Sequence, residues 1–122
     1  MAHLLKSYWK TGIIALIIAY LSLAKPSGDM HLPNIPFVDK WIHITMYAVL
    51  TMFALLETKK RGVSTQSYII VIASSIMYSG TIELLQQLFP PRVSSWYDFL
   101  ANIVGCVIAF ALYKIVFNKA LQ

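Results

Sequence analysis

Four apolar runs, each about the length of a bilayer-crossing helix and each stopped by prolines or basic residues, constrain this chain more than any other feature. The first, Thr11 to Ala24, carries no charge and follows Tyr8, Trp9 and Lys10, two amphipathic rings and a cation suited to a headgroup boundary. A second runs from Trp41 to Leu56, is broken only by His43, and stops at Lys59-Lys60-Arg61-Gly62. The third, Gln66 to Phe89, ends at Pro90-Pro91, and the fourth passes from Ser95 through an uncharged stretch, Phe99 to Tyr113, to Lys114 and Lys119. At 1.5 Å per residue, helices of about 17 to 24 residues cross a hydrocarbon core near 30 Å. The chain Lys25 to Pro36 between the first two runs holds three prolines and a glycine, which start turns and cannot propagate a helix.

Composition removes the soluble alternative. Of 122 residues 58% are hydrophobic and 12% charged, against roughly 25% charged in a typical soluble domain. The expected architecture is therefore all-α, an integral membrane four-helix transmembrane bundle forming one domain over residues 1–122, with helices near 8–25, 39–57, 65–89 and 96–117. A secretory signal peptide is the competing reading of the first run, since Lys6 and Lys10 precede it and Ser22-Leu23-Ala24 resembles a cleavage site. The single cysteine, Cys106, excludes an intramolecular disulfide. The net charge of +5 is scattered and forms no stripe for nucleic acid.

Orientation follows from the basic residues. With four crossings, one side holds Lys6, Lys10, Lys59, Lys60, Arg61, Lys114 and Lys119 and the other Lys25, Lys40 and Arg92, which places both termini in the cytoplasm. The acids run the other way: Glu57 alone lies on the inner side, whereas Asp29, Asp39, Glu83 and Asp98 lie toward the outside.

Helical rise brings several polar residues to one depth. Asp39, Lys40 and Asp98 open their helices at the outer interface, His43 and Asn102 lie about one turn or 6 Å deeper, and Glu83 lies about 9 Å from the end of the third helix. Asp39, His43 and Tyr47 share one face, as do Ser75, Ser79, Glu83 and Gln86, and Asp98, Asn102, Gly105 and Ala109. Small residues below the polar ones permit close helix approach, so these stripes are expected to face one another and form a polar pocket open to the outer surface. Structural roles compete: Asp39 as an N-cap, Ser95 and Asp98 as a capping box, Asn102 as an interhelical hydrogen-bonding residue, His43 as a satisfied interior histidine, Arg92 as a headgroup anchor. Glu83 has no capping task at its depth and needs Arg92, Lys40 or a proton beside it.

Asp39-Lys40-x-x-His43-x-x-x-Tyr47, Glu83-x-x-Gln86-Gln87 and Pro91-Arg92-x-x-Ser95-x-x-Asp98-x-x-x-Asn102-x-x-Gly105 together resemble the VanZ-like family of small bacterial membrane proteins. The resemblance covers about Val38 to Gly105. It implies a multi-pass protein of the bacterial cytoplasmic membrane and an envelope context, since the family's namesake is associated with low-level resistance to the glycopeptide teicoplanin.

Two kinds of function suit these residues. In the first, the pocket binds or remodels a lipid headgroup or cell-wall-linked ligand, with Asp39, Lys40, Tyr47, Gln86, Gln87, Arg92, Ser95 and Asn102 as binding residues. In the second, His43, Glu83 and Asp98 carry acid-base chemistry on a lipid-linked phosphate or another envelope substrate, and Lys40 and Arg92 stabilise developing negative charge. One imidazole and three carboxylates also make a divalent cation conceivable, but no HExxH-like signature stands behind it, and no metal or cofactor is expected. The expected partner is a membrane lipid or lipid-linked envelope ligand; an oligomer stays open, and four short helices without mid-membrane breaks argue against a monomeric transporter.

Overall fold

Proline placement and apolar run length divide the chain into four helices: α1 Trp9–Leu23, α2 Val38–Lys60, α3 Thr65–Gln86 and α4 Trp96–Ala120. A computed structural model describes residues 6–23, 38–60, 65–88 and 96–120, without the side chains of residues 38, 39, 60, 65 and 118–120. Within α2, α3 and α4 lie segments long and apolar enough to cross a membrane, Lys40–Lys59, Gln66–Gln86 and Trp96–Phe117. The described part of α1 has 15 residues, about 22 Å of helix, and falls short of that length.

The other boundaries depart from the apolar runs for local reasons. Helix α2 continues beyond Glu57 through Thr58, Lys59 and Lys60, because none of these residues breaks a helix and long basic side chains reach back to the interface. Helix α3 closes at Gln86 instead of residue 89. A proline disfavours helical backbone in the residue before it, and here the chain tightens first: Gln87 N–H donates to Leu84 C=O at 3.2 Å and Leu88 N–H to Leu85 C=O at 3.0 Å.

Helices α2 and α4 have the most extensive interface, and one glycine sets their separation. A Cβ at Gly105 would overlap the Ile44 carbonyl oxygen and lie 3.1 Å from Ala48 N, so the backbones touch where any larger residue would hold them apart. Gly80 lets Phe99 of α4 approach α3 in the same way, its Cβ position being 3.2 Å from the Phe99 ring. Ser75 and Ser79 are buried and donate to their own helix, to Val71 C=O at 3.1 Å and Ile76 C=O at 2.7 Å, so they act as small spacers and not as cross-helix links. Helix α1 lies on α2 and α3: Ile18 joins Tyr47, Leu50 and Cys106 in the core, Tyr78 OH donates to Ala15 C=O, and Gln86 Nε2 donates to Ser22 C=O at 2.9 Å.

The distribution of side chains is that of a protein solvated by lipid. Among the described residues as many polar or charged side chains are buried as apolar ones, while Leu16, Ile69, Met77, Leu84, Ile108 and Val116 are exposed. In lipid an outward leucine costs nothing and an outward carboxylate costs several kcal/mol, so this arrangement is the favourable one. With no hydrophobic gain from joining helices, close packing and interhelical hydrogen bonds hold the bundle together.

Candidate functional site

Helix α2 delivers Lys40, His43 and Tyr47 to the bundle interior, α3 delivers Glu83, and α4 delivers Asp98 and Asn102. The four-residue spacings on α2 and α4 put successive groups on one face, and the Gly105 contact draws those faces together. His43 Nδ1–H donates to Asn102 Oδ1 at 3.0 Å, the tautomer that an acceptor at that nitrogen requires. The Asn102 amide N–H₂ in turn donates to Glu83 Oε1 at 3.4 Å, and the same carboxylate oxygen lies 3.8 Å from His43 Nδ1. One turn nearer the helix starts, Lys40 Nζ pairs with Asp98 Oδ1 at 2.5 Å. Three helices therefore meet in one polar layer.

Burial raises the strength of these interactions and the cost of breaking them. Asn102 is fully enclosed and Glu83 is 6% exposed. Lys40 offsets Asp98, and Glu83 has a carboxamide and an imidazole among its neighbours. A carboxylate in that position is stabilised by hydrogen bonds and by nearby positive charge.

The remaining sequence candidates divide. Tyr47 lies one turn below His43, is fully buried, and its hydroxyl has no hydrogen-bond partner among the described residues. Gln86 and Gln87 diverge, because three residues after Glu83 is about 60° to one side of it around α3 and four residues after is about 40° to the other. Gln86 is buried against α1 through Ser22, whereas Gln87 is exposed. The Asp39 side chain, Arg92 and Ser95 lie outside the described residues, so the capping box is seen only in Asp98, whose carboxylate goes to Lys40.

Beside the layer, a cavity of about 460 Å³ opens between α3 and α4. Its walls are mostly apolar, including Leu84, Trp96 and Phe99, and Glu83 and Gln87 also line it. Trp96 and Leu84 are largely exposed on the outer surface of the bundle, so the cavity faces the lipid side. Glu83 thus belongs both to the polar layer and to this groove.

One buried acid has no place in the sequence-derived site. Glu57, near the other end of α2, accepts the Thr11 N–H of α1 at 3.0 Å, next to a Tyr8 to Thr58 hydroxyl contact of 2.8 Å. Its signal was present: Glu57 lies fourteen residues after His43, within about 40° of the same helix face. It receives a backbone donor in the first turn of α1, where the helix dipole favours an anion.

The Lys40 to Asp98 pair supplies a measurable coupling. Their side chains are 25% and 12% exposed, so solvent screens the pair in part and a double-mutant cycle of Lys40→Met and Asp98→Asn is expected to give about 1 kcal/mol. Unfolding in mixed micelles measures it. Coupling near zero would make the contact incidental.

No curated protein and no solved structure matches the chain. A family model does: over residues 3–117, a span that includes every helix core and the whole polar layer, the sequence matches VanZ/LLP1, and the chain belongs to that family.

Proposed function

We propose that this protein binds the polar head of a membrane lipid or lipid-linked envelope ligand in the layer formed by His43, Glu83 and Asn102, with the apolar part of the ligand in the groove between α3 and α4. The observation that carries the reading is the double position of Glu83, which lines the apolar groove and accepts from Asn102 in the polar layer. An amphiphile matches that pairing of surfaces. On the basic-residue count, the layer lies in the outer half of a bacterial cytoplasmic membrane, both termini are cytoplasmic, and Arg92 in the outer loop adds a donor for an anionic headgroup. Binding of this kind in the envelope is our account of a link to glycopeptide resistance.

The test uses protein reconstituted in nanodiscs of phosphatidylethanolamine and phosphatidylglycerol, with retained lipid counted by native mass spectrometry. Wild type is expected to keep one lipid per chain. Glu83→Gln preserves shape and removes charge, and Thr81→Trp fills the groove wall from an exposed position; each is expected to lower occupancy at least fivefold while the fold survives. Unchanged occupancy in both variants would refute the reading.

The enzymatic reading draws on the 3.8 Å separation of His43 Nδ1 and Glu83 Oε1, an imidazole and a carboxylate that need a bridging water or a small shift for proton transfer. It requires that His43→Gln abolish turnover of a bound lipid-linked phosphate while binding persists.

A further inference from the structure

The polar layer has a second chemical property, independent of any lipid. His43, Glu83 and Asp98 come from three helices, and one donor atom from each lies within 4.8 Å of the others. We propose that these three side chains, with the Asn102 carbonyl oxygen, form a binding site for one divalent transition-metal ion, of which Zn²⁺ and Mn²⁺ are the probes.

The donors lie slightly farther apart than in a closed site. Donors around a tetrahedral Zn²⁺ with bonds near 2.1 Å are separated by about 3.4 Å. Here His43 Nδ1 and Glu83 Oε1 are 3.8 Å apart, and His43 Nδ1 and Asn102 Oδ1 are 3.0 Å apart. The helix backbones already hold the donors together, so rotamer changes, with the His43 proton moved from Nδ1 to Nε2, bring them onto an ion. An imidazole with two carboxylates and a carbonyl suits Zn²⁺ or Mn²⁺ better than Mg²⁺ or Ca²⁺, which prefer all-oxygen sets.

Two further observations point the same way. The Tyr47 hydroxyl is fully buried one turn below His43 with no hydrogen-bond partner among the described residues. A buried donor without a partner beside these ligands is available to hydrogen-bond a metal-bound group. Glu83 and Asp98 are also both buried carboxylates of one layer, and a carboxylate enclosed in a bundle surrounded by lipid is well suited to ligate a cation. Lys40, through its contact with Asp98, competes with the metal for that carboxylate.

Chelator-treated protein in detergent micelles, dialysed separately against Zn²⁺ and Mn²⁺, is expected to hold one ion per chain by elemental analysis. Glu83→Gln and His43→Ala should each weaken binding at least tenfold. Lys40→Met should strengthen it by freeing Asp98, a direction that no purely structural role predicts. Glu57→Gln, at the opposite end of α2, should leave it unchanged. A metal-dependent rise in the wild-type melting temperature, lost in Glu83→Gln, keeps the test valid if His43→Ala fails to fold. Absence of stoichiometric binding, or binding indifferent to Glu83→Gln and Lys40→Met, would overturn the proposal. Lipid retention measured in chelator keeps the two ideas apart: its loss there refutes the headgroup reading alone, and failure of metal binding with retention intact refutes the metal site alone.

Discussion

Gly105→Val is expected to destabilise the bundle by about 3 kcal/mol, at the upper end of overpacking costs, because the atoms its side chain strikes are backbone. A Cβ there overlaps the Ile44 carbonyl oxygen, and neither that oxygen nor Ala48 N at 3.1 Å can rotate away. The α2 and α4 axes must separate. Since His43 and Asn102 sit one turn from this contact on the same two helices, their 3.0 Å hydrogen bond should open as well, and lipid retention should fall with stability. Gly12→Ala is the control: nothing lies within 4 Å of its Cβ position, so relief of glycine's backbone entropy should make it neutral or stabilising by about 0.5 kcal/mol. Reversible unfolding in mixed micelles measures both. Equal stabilities for wild type and Gly105→Val would disprove the close contact.

Asn102→Ala is expected to cost about 2 kcal/mol, above the ~0.6 kcal/mol average for a hydrogen bond between membrane helices. Its side chain is enclosed, joins two helices at once, and would leave behind a cavity, an imidazole N–H and a carboxylate oxygen without their shared partner. Glu83→Gln removes a buried charge but retains a carbonyl for the Asn102 amide, so stability should hold or rise slightly. The contrast separates the two roles proposed: support of the layer for Asn102, ligand contact for Glu83. A loss below 0.5 kcal/mol in Asn102→Ala, on the same unfolding assay, would show that the layer is not braced through this residue.

Much of this arrangement was legible because helical geometry is simple. Uncharged runs and proline stops located the helices, and rises of three and four residues put His43, Glu83 and Asn102 at one depth. Rotation about each helix was less accessible. The polar stripe on α3 looked continuous from Ser75 to Gln86, yet its serines turn to their own backbone and Gln86 turns to α1, which leaves Glu83 as the residue that enters the layer. The pairing of Lys40 with Asp98 depends on how far α2 slides along α4, and the Gly105 contact sets that offset. Glu57 reads in the sequence as an inner-side acid at the end of the 39–57 helix with no site role, because a charge at a helix end suits the interface, although here the helix and its buried face continue past it. The groove arises between Gly80 and Phe99 and has no single-helix signature.

A lipid headgroup bound as proposed brings its phosphorus down to Glu83. The chain has two glutamates, Glu57 and Glu83, so carboxyl-¹³C glutamate in a Glu57→Gln background labels Glu83 alone. Solid-state NMR of that protein in phospholipid bilayers can then record dephasing of the Glu83 carboxyl signal by lipid ³¹P. The account predicts clear dephasing that disappears when Thr81→Trp fills the groove. Phosphorus confined to the bilayer surface, with no dephasing at Glu83 in the open protein, would contradict it.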